Sequence, residues 1–244
     1  RLFHTVLPGP TCAGVYTIFP HPNHASLNSL MTRLHEIASV EGSNVPEYLF
    51  LANGVHVIES YQAAHGGIRN YLNIRISISI VGESREHCIV MGGLEMNGNE
   101  EDNVNVSDLT LSASKGNGVW GNKGASMHLD NVSVENSGRN GVEVKQTQRN
   151  TMKNCHVSHS KWCGLFVCGM GGLMTIDGND TAIHHNITGR YSDCHGLSVR
   201  SNTSIHIISP LTKEMISTNN GGDDFGGLGT IKTITNNNTK EENK

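Results

Sequence analysis

The sequence predicts an all-β chain wound as a parallel solenoid of about 23 residues per coil, with one short helix closing its N-terminal end. Three observations predict it. A pattern recurs at a fixed interval of 23 residues, each copy alternates apolar and polar residues in short runs, and Gly, Asn and Ser punctuate the runs. The composition agrees: the chain of 244 residues is 36% hydrophobic but only 5% aromatic, with 28 glycines. Such a mixture is poor in helix formers and rich in turn formers, as many short strands require.

The repeat is read by stacking "VSDLTLSASKGNGVWG" from Val106, "LDNVSVENSGRNGVEV" from Leu129 and "MKNCHVSHSKWCGLFV" from Met152. Leu109, Val132 and Cys155 then share a column, as do Leu111, Val134 and Val157, and Val119, Val142 and Leu165. Side chains alternate across a strand, so these columns point inward and the residues between them outward. Each copy holds two strand-like runs, L-T-L and V-x-V. Asp108, Asn131 and Asn154 also align, as do Ser114, Ser137 and Ser160, and Gly118, Gly141 and Gly164. Gly141 and its equivalents are expected at a corner whose backbone angle other residues resist. Asn131 and Ser137 are expected in ladders that satisfy turn backbone groups.

A fourth copy, "HNITGRYSDCHGLSV" (185–199), puts Asn186, Ile187, Ser192, Gly196 and Leu197 into the same columns. Gly164 and Gly196 are 32 residues apart, so nine extra residues are placed in the segment 168–185, as a loop on one face. Leucine-rich repeats share the period but need an L-x-x-L-x-L-x-x-N frame that this chain does not have.

These copies, with "ISISIVGESREHCIVMGGLEM" (76–96), resemble the right-handed parallel β-helix of the pectin-lyase-like superfamily, and within it the repeats of carbohydrate-binding proteins and sugar hydrolases. The resemblance implies a right-handed helix and a solenoid that works on its outer surface. On this reading residues 1–44 form an N-terminal arm and capping helix, 45–235 the β-helix and 236–244 a polar, disordered tail. "SLNSLMTRLHEIASV" (26–40) carries the cap: Leu27, Leu30, Met31, Leu34 and Ile37 share one helical face, and Ser26 is the N-cap residue. Such a helix covers the apolar side chains and strand edges at the open end of the stack.

Charge and cysteines narrow the function classes. The net charge is −4 without a basic block, which excludes a nucleic-acid footprint, and no run of 18 apolar residues offers a membrane span. The first residues, "RLFHTVLPGPTCAGVYTIF", do not read as a signal peptide, since Pro and His interrupt the apolar run. Cys12, Cys88, Cys155, Cys163, Cys168 and Cys194 contain no CxxC pair and read as free thiols. Compartment and oligomeric state are not written in the chain.

Outward columns define the candidate ligand-binding face. Trp120, Glu143, Phe166 and Ser198 form one strip, with Asn122, Lys145, Cys168 and Arg200 beside it. The face for an extended ligand is assigned to Trp120, Glu143, Lys145, Phe166 and Arg200. On the other strand the outward columns are Thr110, Ser133, His156 and Thr188, and Ser112, Glu135, Ser158 and Arg190. Val142→Asp is expected to be severe and Glu143→Ala nearly neutral.

A second candidate is catalytic. "CHGLSVRS" (194–201) resembles the Gly-His-Gly-Leu-Ser segment of polygalacturonases, and "GTIKT" (229–233) is similar to their later Arg-Ile-Lys. The resemblance implies a site at Arg190, Asp193 and His195. Cys194 stands where that family has Gly and Thr230 where it has Arg; Asp223-Asp224 follows the histidine instead of preceding it. Glycoside hydrolysis needs two carboxyl groups, for which Asp177, Asp180 and Asp193 are available. "DGND" (177–180) offers oxygen ligands for calcium, although its spacing suits a tight turn better; no other metal or cofactor is expected.

The expected function is therefore a non-catalytic β-helix module presenting a flat face to a glycan or a protein. The alternatives are a polysaccharide-active enzyme, a polyuronate hydrolase or lyase with its site near His195, and a structural element that stacks end to end.

Overall fold

The structure, a computed structural model, describes residues 15–64, 66–122, 124–189 and 191–235. The tail expected at 236–244 lies outside the described residues, as do Cys12 and Arg190. The chain winds as a parallel β-helix of triangular section with three strands per turn. The first face runs through strands such as 103–107, 126–130, Asn150–Lys153 and Leu173–Asp177; the second through 109–112, 132–135, His156–Ser158 and Ala182–His184. The third is a separate sheet, including Gly93–Met96, Val119–Asn122, Val142–Lys145, Leu165–Cys168 and His195–Val199.

Sequence reading found the second and third faces and missed the first. Its signal is the alternation of Val104 and Val106, Met127 and Leu129, and Met174 and Ile176, all fully buried or nearly so. First and second faces join without interruption in Asn103–Ser112 and Ser126–Glu135 because the bend is made by one residue. That residue is Asp108, Asn131 or Asn154, at φ 57°, 54° and 51°. Asp and Asn tolerate this left-handed conformation better than other side chains. The Asn131 amide also donates to Asp108 Oδ1 at 2.8 Å, linking one bend to the next.

The inward columns are as expected. Leu109, Val132, Cys155, Leu111, Val134, Val157, Val119, Val142 and Leu165 are at most 1% exposed. Each such side chain contributes on the order of 1.5–3 kcal/mol by leaving water.

Two corner assignments differ. Gly118, Gly141 and Gly164 are not in a left-handed conformation; they are needed for close approach. A Cβ on Gly141 would lie 2.2 Å from Val157 Cγ1 and 2.7 Å from the Gly164 carbonyl oxygen. The serine column does not form a ladder either. Ser114 Oγ donates to the Asn117 carbonyl, but Ser137 Oγ and Ser160 Oγ are buried without a partner. Asparagines do that work: Asn140 N–H donates to Asn117 Oδ1 (3.2 Å) and Cys163 N–H to Asn140 Oδ1 (3.1 Å).

The fourth copy is also shifted. Val157 pairs with Ile183 and Ser158 with His184, whereas Leu165 pairs with Leu197. Most of the extra residues therefore follow the second-face strand, in 185–196, and only some precede it. Ala182 and His184 take the outward places expected for Thr188 and Arg190. Asn186 serves the Ser160 corner, its Oδ1 accepting from Ser160 N–H at 3.0 Å.

At the N-terminal end the helix Leu27–Ala38 buries Leu27, Leu30, Met31 and Leu34 in the same core as Leu49, Leu51, Leu72 and Ile74. Ser26 is its N-cap and forms a capping box with Ser29. Tyr16–Phe19 adds a parallel strand to Tyr48–Leu51, so this part of the arm joins the sheet.

Candidate ligand-binding groove

The third face brings the predicted ligand-binding residues onto one strip. Trp120 pairs with Glu143, Glu143 with Phe166 and Phe166 with Ser198 on successive strands. Asn122, Lys145 and Cys168 form the neighbouring column, and Arg200 follows the strand His195–Val199.

Side-chain hydrogen bonds and ring contacts hold these side chains in place. Glu143 Oε2 accepts from the amides of Asn117 (3.0 Å) and Asn140 (2.9 Å), the asparagines whose carbonyl oxygens serve the corner. Trp120 is tilted against Tyr71, ring centres 6.3 Å apart, with its indole N–H buried and unpaired. The Arg200 guanidinium lies 5.6 Å from the centre of the Phe166 ring, and that of Arg139 lies 5.0 Å from Trp162. Trp162 in turn meets Tyr191 edge-on at 5.4 Å. Neither arginine forms an ion pair with a described residue.

These groups enclose a groove of about 480 Å³ lined by Arg139, Glu143, Trp162, Cys163, Phe166, Tyr191, Asp193, Cys194 and Arg200, among others. Two hollows of about 530 and 600 Å³ lie where the capping helix meets the first turns, both lined by His35 and Arg75. The larger is bordered by Tyr61, Tyr71 and Asn73, and Asn73 precedes Glu95 and Trp120 on the outward strip. The third face thus has recesses towards both its ends, with Trp120 between them.

The two candidate lists meet in this groove only in part. Glu143, Phe166, Arg200 and Asp193 line it; Trp120 and Lys145 lie on the adjoining strip. Asp193 is exposed in the loop before His195–Val199. His195 is not among the residues that line the groove. Its ring lies against Gly226, where a Cβ would meet ring atoms at 2.6–2.8 Å. Its Nδ1 is buried without a hydrogen bond, 4.0 Å from Asp223 Oδ2.

Arg139, Trp162 and Tyr191 were missed by sequence reading. A signal existed for two of them. Arg139 and Trp162 are 23 residues apart, and Trp162 N–H donates to the Arg139 carbonyl, so they form a column just before the asparagine corner.

The "DGND" segment is a tight turn. Gly178, at φ 82°, donates its N–H to Asp177 Oδ1 at 2.7 Å, and Thr181 Oγ1 donates to the Asp177 carbonyl at 2.6 Å. Asp180 pairs with Arg85 (3.0 Å) and His156 (3.3 Å), and the Arg85 hydrogen bond is the first cause holding its carboxyl below the usual range. The rings of His159 and His185 stack and His184 meets both edge-on, with His184 held low first by burial and then by its histidine neighbours. Among the described residues no cluster of three or more His, Cys, Asp or Glu side chains is arranged to hold a metal ion.

A family described as "Right handed beta helix region" matches residues 92–243, well over half of the chain. The chain belongs to the right-handed β-helix family. Among solved structures, this β-helix protein is similar to the catalytic domain of an α-1,3-glucanase in complex with tetrasaccharides, at 15% identity and a TM-score of 0.49. That match covers 91% of this chain and 40% of the glucanase chain, so the β-helix described here spans well under half of that neighbour. The A-module of a mannuronan C-5 epimerase from Azotobacter vinelandii is similar at 10% identity and a TM-score of 0.27, covering 85% of this chain and 94% of the module. No curated protein sequence matches.

Proposed function

We propose that this β-helix protein binds a glycan chain along its third face, without cleaving it, and that the groove at Phe166 and Trp162 is the anchoring subsite. The observation that carries the reading is the pair of arginines, each lying over an aromatic ring and free of ion pairs with the described residues. Aromatic rings offer sugar C–H faces a flat apolar contact, and the guanidinium fork suits a carboxylate or a pair of hydroxyls. Stacking holds each fork in place before the ligand arrives, which lowers the ordering cost of binding. Carboxylate-bearing sugars are therefore the preferred ligands. Glu143 and Asp193 serve as acceptors for sugar hydroxyls.

A second reading rests on those same two carboxyl groups lining one groove, the minimum equipment of a glycoside hydrolase. One set of measurements separates the two. Calorimetric titration with polyuronate and neutral oligosaccharides is run beside a depolymerisation assay, with and without calcium. Binding to polyuronates without cleavage is expected, and Arg139→Ala, Arg200→Ala and Phe166→Ala should each weaken it by about 10–100-fold, the equivalent of roughly 1.5–3 kcal/mol. Cleavage that vanishes in Glu143→Gln would make the protein a hydrolase. Binding untouched by all three substitutions would remove the groove from the account.

A further inference from the structure

The groove wall contains two sulfur atoms that glycan binding does not use. Leu165 pairs with Leu197, and this register carried two residues back sets Cys163 beside His195, with Cys194 next to it in the chain. Cys194 is offset from that pairing by one residue, so with strands about 4.7–4.9 Å apart and a rise of about 3.3 Å per residue its Cα lies roughly 6 Å from that of Cys163, within the roughly 4.4–6.8 Å that disulfide-linked Cα atoms span. The side chains already meet. The thiols of Cys163 and Cys194 interact directly with one another, and the His195 backbone lies against the Cys163 thiol. Both line the groove, Cys163 almost wholly buried and Cys194 partly exposed.

Their acidities are split. The interaction with Cys194 is the first cause that pulls the Cys163 thiol down, against burial, with help from the His195 backbone and Ser198. The same interaction pushes Cys194 up. Cys88, Cys155 and Cys168 are instead pushed up by burial, to about 11, 12 and 11. The direction of the split favours the thiolate on Cys163, with a protonated thiol beside it.

We propose that Cys163 and Cys194 are a redox-active dithiol that a hydroperoxide closes into a disulfide in the groove wall. In the first step the Cys163 thiolate attacks the terminal peroxide oxygen and the O–O bond breaks. Cys163 becomes a sulfenic acid, and the departing oxygen takes up a proton and leaves as water or an alcohol. In the second step Cys194 sulfur attacks Cys163 sulfur and the S–O bond breaks. Hydroxide leaves with the Cys194 proton as water. Two thiols have lost two electrons and one peroxide has gained them. The bond ties residues 191–194, which carry Tyr191 and Asp193 of the groove, to the turn before Leu165–Cys168. This inference does not depend on what the groove binds.

The test is peptide mapping of the whole chain after hydrogen peroxide at neutral pH, with a dimedone trap in parallel. In the unmodified protein a single cross-linked species joining the Cys163 and Cys194 peptides is expected, with Cys88, Cys155 and Cys168 still reduced. In Cys194→Ser the dimedone adduct should appear on Cys163. In Cys163→Ser no adduct should appear on Cys194. Both cysteines remaining reduced in the unmodified protein, or dimedone marking Cys194 in preference to Cys163, would overturn the proposal. The first readout needs no variant, so a substitution that fails to fold does not shelter it.

Discussion

Val142 and Glu143 are neighbours in the chain with opposite surroundings. Val142 is 0% exposed inside the β-helix, between Val119 and Leu165, so Val142→Asp places an unpaired charge in the core. A loss on the order of several kcal/mol is expected. Glu143 points outward, yet it is not the neutral position that alternation alone implies. It holds the amides of Asn117 and Asn140, which are 4% and 2% exposed. Glu143→Ala leaves the amides of two buried asparagines unpaired and is expected to cost about 1–3 kcal/mol. Thermal melts of both variants check the column assignment: Val142→Asp must be clearly the worse, and equal shifts would refute it. Gly141 belongs to this scale as well. It is glycine because the Val157 methyl and the Gly164 carbonyl leave no room for a Cβ, a fact about neighbours 16 and 23 residues away.

Among the elements, the capping helix is specified most locally. Its apolar stripe, its Ser26 cap and its end all lie within residues 26–40, so periodicity and capping chemistry sufficed to find it. Ser26→Ala removes the bond from Ser29 N–H (3.2 Å) and is expected to cost about 1 kcal/mol, read as a lowered urea midpoint with unchanged slope. A null effect would mean that the burial of Leu27, Leu30, Met31 and Leu34 alone holds the helix. The strands are different. Their stability is contributed by the turns above and below, and their bends by single residues such as Asn131. For that reason the first-face strands were missed. They flow into the second face without a turn signal, and only their partners reveal them.

Acid sensitivity belongs to the whole molecule. His35 sits on the capping helix and His128, His184 and His206 on strands of the β-helix, and all are held below the ordinary imidazole value, burial being the first cause in each. The sign follows directly: the unfolded chain takes up protons from about pH 6.5, the folded chain only at lower pH. The unfolded state therefore binds more protons in that window, and stability falls as pH falls. Asp180 adds in the same direction, since its stabilising contribution is lost as pH drops through its depressed folded value. Melting temperature is expected to be level near pH 7–8 and to decline below about 6.5. A melting temperature that rises on mild acidification would contradict the shifts.

What the sequence determined by itself is the solenoid, its inward columns, its cap and the strip Trp120–Glu143–Phe166. The cap follows from helical spacing and its Ser26 N-cap; the others follow from a 23-residue period and an alternation of two, and a regular repeat lets one coil predict the next. The tertiary structure decided the rest. It placed most of the insertion after His184, because a loop between polar turns leaves no periodic mark of its own. It set His195 against Gly226 and gathered Arg139, Trp162 and Tyr191 into one groove with Phe166. It also set Cys163 beside Cys194, across a gap of 31 residues that no repeat spacing describes. Those contacts are made between side chains at the irregular edges of successive turns. Their positions depend on how the chain leaves the repeat, and only the folded backbone contains that information.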